Sequence, residues 1–131
     1  MFIKKYRNMK MQARIPIKII IEKIGEFNGE FIRFYAPITI EYLLKNMPLE
    51  GFAGKMEHCI FFETKISIGA EKTINKVIPG DICYWPPRNA ICLFFKEGSP
   101  PVQSVRIGKF FNNIENLVNT KQGSRIRILL K

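Results

Sequence analysis

The segment from Ile78 to Phe95 constrains the fold of this chain more than any other stretch. Pro79-Gly80 fits the two central positions of a type II turn, because proline presets its φ angle and glycine supplies a positive one. The apolar run Ile82 to Trp85 predicts a short strand, and Pro86-Pro87 closes it. Ala90 to Phe95 predicts a second, fully apolar strand. Two buried strands joined by a rigid aromatic-proline corner are typical of a small closed β-barrel.

Alternating hydrophobicity predicts further strands at both ends of the chain. Ile15, Ile17, Ile19 and Ile21 share one face, while charged and mixed side chains occupy the other. Gly25 and Asn28-Gly29 predict a turn, and Glu30 to Phe34 predicts the returning strand of an antiparallel hairpin. In the last strand, Arg125 to Leu130, the apolar residues are expected to face the core and the arginines to face water.

Two short helices are predicted between the strands. Thr39 is the expected N-cap of the first, Ile40, Leu43, Leu44 and Met47 follow at helical spacing, and Pro48 ends it. Asn112 or Asn113 caps the second, and Gly123 ends it. The remaining predicted strands are Lys55 to Glu63, Lys72 to Ile78 and Val105 to Phe110. Together these elements predict a mainly β fold, a closed eight-stranded barrel with two short helices. Closure of the barrel removes exposed sheet edges.

The charge of the chain is concentrated at its start. The 131 residues carry a formal net charge of +10, and five basic residues with no acidic one lie among the first fourteen. We therefore divide the chain into a basic flexible tail, residues 1–13, and one barrel domain, residues 14–131. The tail raises the hypothesis of nucleic-acid binding. An alternative is that the true first residue is Met9 or Met11.

The three cysteines, Cys59, Cys83 and Cys92, lie in apolar runs without metal-binding spacing. We expect buried, reduced thiols, as is usual in the cytoplasm. A zinc site is not expected, because His58 is the only histidine of the chain. The apolar runs are too short to cross a bilayer, and no motif indicates a cofactor or metal.

The order of these segments resembles the small cyclophilin-like barrel proteins of archaea and bacteria, whose function is largely uncharacterised. The resemblance spans Arg14 to Lys131, and its most specific block is Pro79 to Pro87. It implies a cyclophilin-like barrel. The family often has Trp-Gly-Asp-Glu-Ile-Tyr-Phe where this chain has Lys55 to Phe62, so the tryptophan and the acidic residue are missing here.

The resemblance also argues against prolyl isomerase activity. True cyclophilins have Phe-His-Arg-Ile after the first helix, and the arginine stabilises the twisted amide. Here the matching residues are Glu57 to Ile60, with Cys59 in place of the arginine. A neutral thiol cannot donate the charge-assisted hydrogen bond that this mechanism uses. No Phe-x-Met-x-Gln motif follows, so a weak isomerase is an alternative hypothesis and catalytic residues are not predicted.

The leading hypothesis is a non-enzymatic module that binds a small ligand or an extended peptide beside the barrel. Tyr84 and Trp85 have the amphipathic rings that are enriched at binding sites, although a packed barrel corner is the competing explanation. The candidate ligand-binding residues are His58, Phe61, Tyr84, Trp85, Pro86 and Arg88.

Overall fold

The computed structural model describes residues 12–131. The described chain contains ten strands, one α-helix and three short 3-10 helices. The strands are β1 (Arg14–Ile21), β2 (Gly25–Ile32), β3 (Leu49–Phe52), β4 (Gly54–Lys55), β5 (Cys59–Glu63), β6 (Thr73–Ile74), β7 (Asp81–Trp85), β8 (Ala90–Phe94), β9 (Ser104–Phe110) and β10 (Arg125–Leu130). The helices are α1 (Pro37–Lys45) and the 3-10 helices Arg33–Tyr35, Pro86–Arg88 and Ile114–Asn119.

The strands form one antiparallel sheet that curls into a nearly closed barrel. Nine of them follow the order β3-β10-β1-β2-β9-β7-β8-β5-β4, and β6 pairs with β9 beside this path. The segment from β3 to β4 brings the ends together, because β3 pairs with β10 and β4 pairs with β5. The predicted mainly β barrel is confirmed, but the predicted eight strands are too few.

The first hairpin is confirmed, but its predicted turn is wrong. The chain reverses at residues 22–24, where the Ile24 N–H donates to the Ile21 carbonyl and Lys23 has a φ of 65°. Asn28-Gly29 instead lies inside β2. Gly29 is needed there because β9 crosses closely, and a Cβ on Gly29 would lie 2.6 Å from the Lys109 carbonyl oxygen. Glycine in a strand often marks such an approach of a second backbone.

Two other predicted strands differ in extent, and one observed strand, β3, has no predicted counterpart. Strand β3 follows Pro48 and was not predicted at all, since its sequence, Leu49 to Phe52, carries a single strongly apolar inward residue. The predicted strand Lys55 to Glu63 is two strands, β4 and β5, separated by residues 56–58. The predicted strand Lys72 to Ile78 is a strand only at Thr73–Ile74, which pairs with β9, and Val77 makes a single bridge to Gly98.

The N-terminus of α1 is capped by a distant carboxylate rather than by Thr39. The helix begins at Pro37, a favourable first position because its missing N–H would be unpaired anyway. Both the N–H and the hydroxyl of Thr39 donate to Glu71 Oε1, at 2.5 and 2.7 Å. The predicted second helix is a 3-10 helix, Ile114–Asn119, whose N-cap residue Asn113 makes no side-chain capping bond.

The barrel core is filled by the inward side chains of the strands and by one face of α1. Ile15, Ile17, Ile19 and Ile21 of β1 are all buried, as their alternation predicts, and Ile40, Leu43 and Leu44 of α1 join them. Each fully buried aliphatic side chain contributes about 1.5–3 kcal/mol through its removal from water. The core therefore holds the sheet rigid beneath any surface site.

Most of the predicted basic tail, residues 1–11, lies outside the described residues. The backbone carbonyl groups of the next two residues, Gln12 and Ala13, accept hydrogen bonds from Arg33. Arg33 donates from its backbone N–H to Ala13 and from Nε to Gln12, both at less than 3 Å. Within residues 12–131, no helix is long and apolar enough to cross a membrane.

Candidate functional site

A second apolar layer covers the outside of the barrel at strands β5, β7 and β8. Successive strand residues point to opposite faces, so residues next to the core residues Ile60, Ile82 and Ile91 point outward. These outward residues do not reach solvent, because the chain before β7 and before β9 packs over them. We call this layer the outer cluster; it consists of Cys59, Val77, Cys83, Trp85, Ala90, Cys92 and Phe94.

Tyr84 points into the barrel core and is fully buried. Its hydroxyl donates to the Ile66 carbonyl oxygen at 2.8 Å and accepts from the Ile68 N–H at 3.2 Å. Both partners belong to the irregular segment after β5, so Tyr84 fastens that segment to the barrel. In this arrangement the Tyr84 side chain does not contact solvent.

Trp85 points the opposite way, into the outer cluster, and is also fully buried. Its ring lies 5.3 Å from Phe61 and 6.5 Å from Phe94, measured between centroids. Its Nε1 has no hydrogen-bond partner among the described residues. The ring is therefore a packed support for Phe61, and a ligand on the surface would meet Phe61 before Trp85.

The three thiols share the outer cluster. Cys83 and Cys92 are direct cross-strand partners, and all three cysteines are free and buried. Burial raises the pKa of Cys83, and the nearby Asp81 carboxylate raises it further. Burial also raises the pKa of Cys92, and a hydrogen bond with Cys59 adds to the effect. The expected burial is confirmed. The expected slow reaction with thiol reagents stays a prediction, and a raised pKa supports it because the thiolate is the reactive form.

Phe61 is the candidate residue that reaches the surface as part of a built site. The Arg88 guanidinium lies 4.7 Å from the centroid of its ring, within the range of a cation–π contact. Arg88 also pairs with Glu63, at 3.4 Å between Nη2 and Oε2. The surrounding shallow cavity has a volume of about 340 Å³. We call it the Phe61 groove; its lining residues are Gly51, Phe52, Ala53, Gly54, Phe61, Glu63 and Arg88.

The shape of the Phe61 groove depends on its glycines. A Cβ on Gly54 would overlap the Phe61 ring, so the ring can lie this close to β4 only because that position has no side chain. A Cβ on Gly51 would lie 2.8 Å from the Phe62 ring. Phe52 projects between these positions and is 71% exposed. The groove therefore presents two aromatic rings, one fixed and one free, beside an acid–base pair.

The other candidate residues do not all meet in this groove. Pro86, partly exposed, begins the short 3-10 helix that carries Arg88, and Asn89 ends the helix in the left-handed conformation, with φ of 52°. His58 lines a separate cleft of about 180 Å³ with Ser99 and Pro101. The structure thus joins Phe61 and Arg88, places Trp85 behind them, and separates His58 and Tyr84 from them.

Sequence reasoning missed the β3 side of the groove. Gly51, Phe52 and Gly54 lie in a segment for which no strand was predicted. The only available signal was the two glycines around an aromatic residue, which indicates a close approach of another chain segment but not which one. Among residues 12–131, no three His, Cys, Asp or Glu side chains are arranged to hold a metal ion.

Comparison with known families identifies the fold class of this chain. The model of the Cyclophilin-like family matches residues 15–129, nearly the whole described domain. The chain belongs to the cyclophilin-like family. The resemblance inferred from the Pro79 to Pro87 block is thereby confirmed. No curated protein matches the chain.

Two solved structures are similar in shape to this one. The solution structure of a hypothetical protein from Archaeoglobus fulgidus has a TM-score of 0.74 and 26% identity, and the match covers 91% of this chain and 96% of that one. The structure of McbB in complex with tryptophan has a TM-score of 0.73 and 13% identity, covering 88% of this chain. This chain spans 44% of McbB, and at that identity the likeness concerns the fold alone.

Proposed function

We propose that this cyclophilin-like protein is a non-enzymatic binding module that holds a small ligand or an extended peptide in the Phe61 groove. The observation that carries the proposal is the layered contact of exposed Arg88 with the half-buried ring of Phe61, which in turn contacts the buried ring of Trp85. The Phe61 ring is already fixed by its contact with Trp85, so it loses little conformational freedom when a ligand packs on it. Binding therefore costs less conformational entropy. Such preorganised aromatic residues dominate many interfaces.

The charges beside the ring favour a ligand with polar ends. Arg88 offers N–H donors to a carboxylate or carbonyl group, and Glu63 accepts from an amine or amide. Arg88 and Glu63 pair with each other at the surface. An exposed ion pair contributes only about 0–1 kcal/mol, so replacing it by contacts to a ligand costs little free energy. An apolar side chain of the ligand would lie between Phe52 and Phe61.

Isomerase chemistry is not part of this proposal. Cys59, which stands where true cyclophilins have the arginine, is fully buried in the outer cluster. Its side chain lacks the guanidinium group of an arginine and has no contact with solvent. The surface that a proline substrate would need at this position is instead filled by the side chains of β7 and β8.

Titration of the isotope-labelled full chain tests the proposal. The probes are a mixture of short random peptides and free tryptophan, which is chosen because McbB has been solved with it. We expect amide shifts confined to residues 51–54, 59–63 and 85–90. Shifts that avoid these segments, or no shifts from any probe, would overturn the assignment.

A pair of matched variants separates the groove from general charge effects. Arg88→Gln removes the cation above Phe61, and we expect it to weaken binding about tenfold. Arg14→Gln removes an arginine from another exposed Arg–Glu pair, the one between Arg14 and Glu30, on β1 and β2. It should leave binding unchanged, and an equal loss in both variants would contradict the proposed site.

A further inference from the structure

A second and larger groove lies on the outside of the barrel between β6, β7 and β9. Its volume is about 610 Å³. It shares no residue with the Phe61 groove. We call it the basic groove; its lining residues are Thr73, Ile74, Asn75, Lys76, Ile78, Asp81, Arg106 and Lys109.

The charges in the basic groove do not cancel. Three of its side chains are cationic, and Asp81 is its only acid. Asp81 is paired with Arg106, at 3.0 Å between Oδ2 and Nη2. Within residues 12–131, neither Lys76 nor Lys109 has a carboxylate within ion-pair distance. Two positive charges therefore remain unpaired in a concave surface. A concave surface with charge of one sign strengthens the local electrostatic potential and so attracts anions.

The floor of the groove is a fixed and incompletely bonded polar pair. Asp81 is fully buried, and its Oδ2 also accepts from the Ile78 N–H at 2.9 Å. Its Oδ1 has no partner among the described residues, nor has Nε of Arg106. Buried polar atoms are normally hydrogen-bonded, so these two exceptions mark hydrogen-bonding capacity that a bound water or ligand would use.

Arg106 is held in place before any ligand arrives. Its Nη2 also donates to the Lys76 carbonyl oxygen at 3.3 Å, and its guanidinium lies 5.8 Å from the centroid of the Tyr35 ring. These contacts link β9 to the segment after β6 and to the 3-10 helix before α1. Ile74 and the exposed side chain of Ile78 add apolar surface to the groove.

We propose that the basic groove binds a small organic anion that also carries a hydroxyl or amine donor. The phosphate or carboxylate group lies against Lys76 and Lys109, and the donor satisfies Oδ1 of Asp81. The Nε–H of Arg106 donates to an oxygen of the ligand. The carbon skeleton packs on Ile74 and Ile78. This site is separate from the Phe61 groove, so either assignment can fail without the other.

Three matched probes test the assignment on the full chain, in low-salt Tris buffer. Glycerol 3-phosphate and glycerate carry the two anionic groups on similar skeletons, and glycerol is their neutral counterpart. We expect one or both anions to shift the amide signals of residues 73–81 and 104–109, together with the Arg106 Nε–H signal. Glycerol should shift none of them. The more tightly bound anion identifies the preferred group, and the absence of shifts with both anions overturns the proposal.

Two double variants with the same loss of charge provide the control. Lys76→Gln with Lys109→Gln removes both unpaired cations of the groove, and we expect the dissociation constant to rise at least tenfold. Lys45→Gln with Lys121→Gln removes two exposed cations elsewhere and should change it less than twofold. Equal weakening by both pairs would show a nonspecific charge effect and overturn the site, as would unchanged binding by the groove pair.

Discussion

At the scale of single residues, Trp85 changes the interpretation of the most specific sequence block. An aromatic ring beside two prolines fits both a ligand wall and a packed corner. The structure places the ring in the outer cluster with no exposed surface, between Phe61 and Phe94. Its role in any binding is therefore to support the Phe61 ring, which is the group that a ligand can touch.

Replacing Trp85 by alanine tests this support role. We expect Trp85→Ala to lower the free energy of unfolding by about 3–5 kcal/mol, the usual cost of truncating a buried large aromatic side chain. Urea denaturation measures the change. As a control, Phe111→Ala removes a ring that is 56% exposed and should cost far less. Wild-type stability of Trp85→Ala together with lost ligand binding would show instead that Trp85 is a contact residue.

At the scale of elements, the pairing of β2 with β9 depends on two glycines. Phe31 of β2 faces Gly108 of β9, and Gly29 faces Phe110. A Cβ on Gly108 would collide with the Glu30 carbonyl oxygen and lie 3.0 Å from the Phe31 Cα. The two backbones can approach only because these positions have no side chain. This pairing also sets the position of Arg106 and Lys109, which lie on β9.

The substitution Gly108→Ala tests the close approach of the two strands. We expect a loss of at least about 1–3 kcal/mol of unfolding free energy, because backbone atoms must move to admit the methyl group. The matched control is Gly69→Ala, since a Cβ there meets nothing within 4 Å. It should be neutral or stabilise by up to about 1 kcal/mol. Equal thermal stability of the two variants would contradict the register of β2 against β9.

At the scale of the whole molecule, the barrel offers two surfaces that differ in chemistry. The Phe61 groove combines aromatic rings with one acid–base pair, whereas the basic groove carries unbalanced positive charge. The outer cluster lies between β5, β7 and β8 and fills the surface where the cyclophilin resemblance places the arginine of the isomerases. Membership in the cyclophilin-like family gives the fold of this chain and does not by itself imply the activity of the family's best-known members.

A protease-coupled assay with a proline peptide tests the expected lack of isomerase activity. We expect the full chain to leave the rate at that of the uncatalysed reaction, because Cys59 is buried and lacks the guanidinium group of an arginine. The peptide without protein and the peptide with a true cyclophilin give the lower and upper references. A clear acceleration that scales with protein concentration would show that another residue has taken the role of the arginine.

The sequence by itself determined the features that depend on local patterns. Alternation identified the core faces of β1 and β10, and the Pro79-Gly80 turn located β7. Proline and helical spacing located α1 to within three residues at its start and two at its end. The family resemblance rested on the same block, and together these patterns predicted a mainly β barrel. They succeeded because a side chain's face within a strand, and the backbone preferences of proline and glycine, are set by near neighbours.

Only the tertiary structure decided which distant segments each strand and helix contacts. Glu71 caps a helix that begins more than thirty residues before it, and Gly29 belongs to a strand because β9 crosses it. Phe61 and Arg88 stand 27 positions apart in sequence, yet their contact makes a groove. Lys76, Asp81 and Arg106 likewise meet only when β7 and β9 pair. Such contacts depend on how strands are ordered and covered around the barrel, which the periodicity within a single strand does not encode.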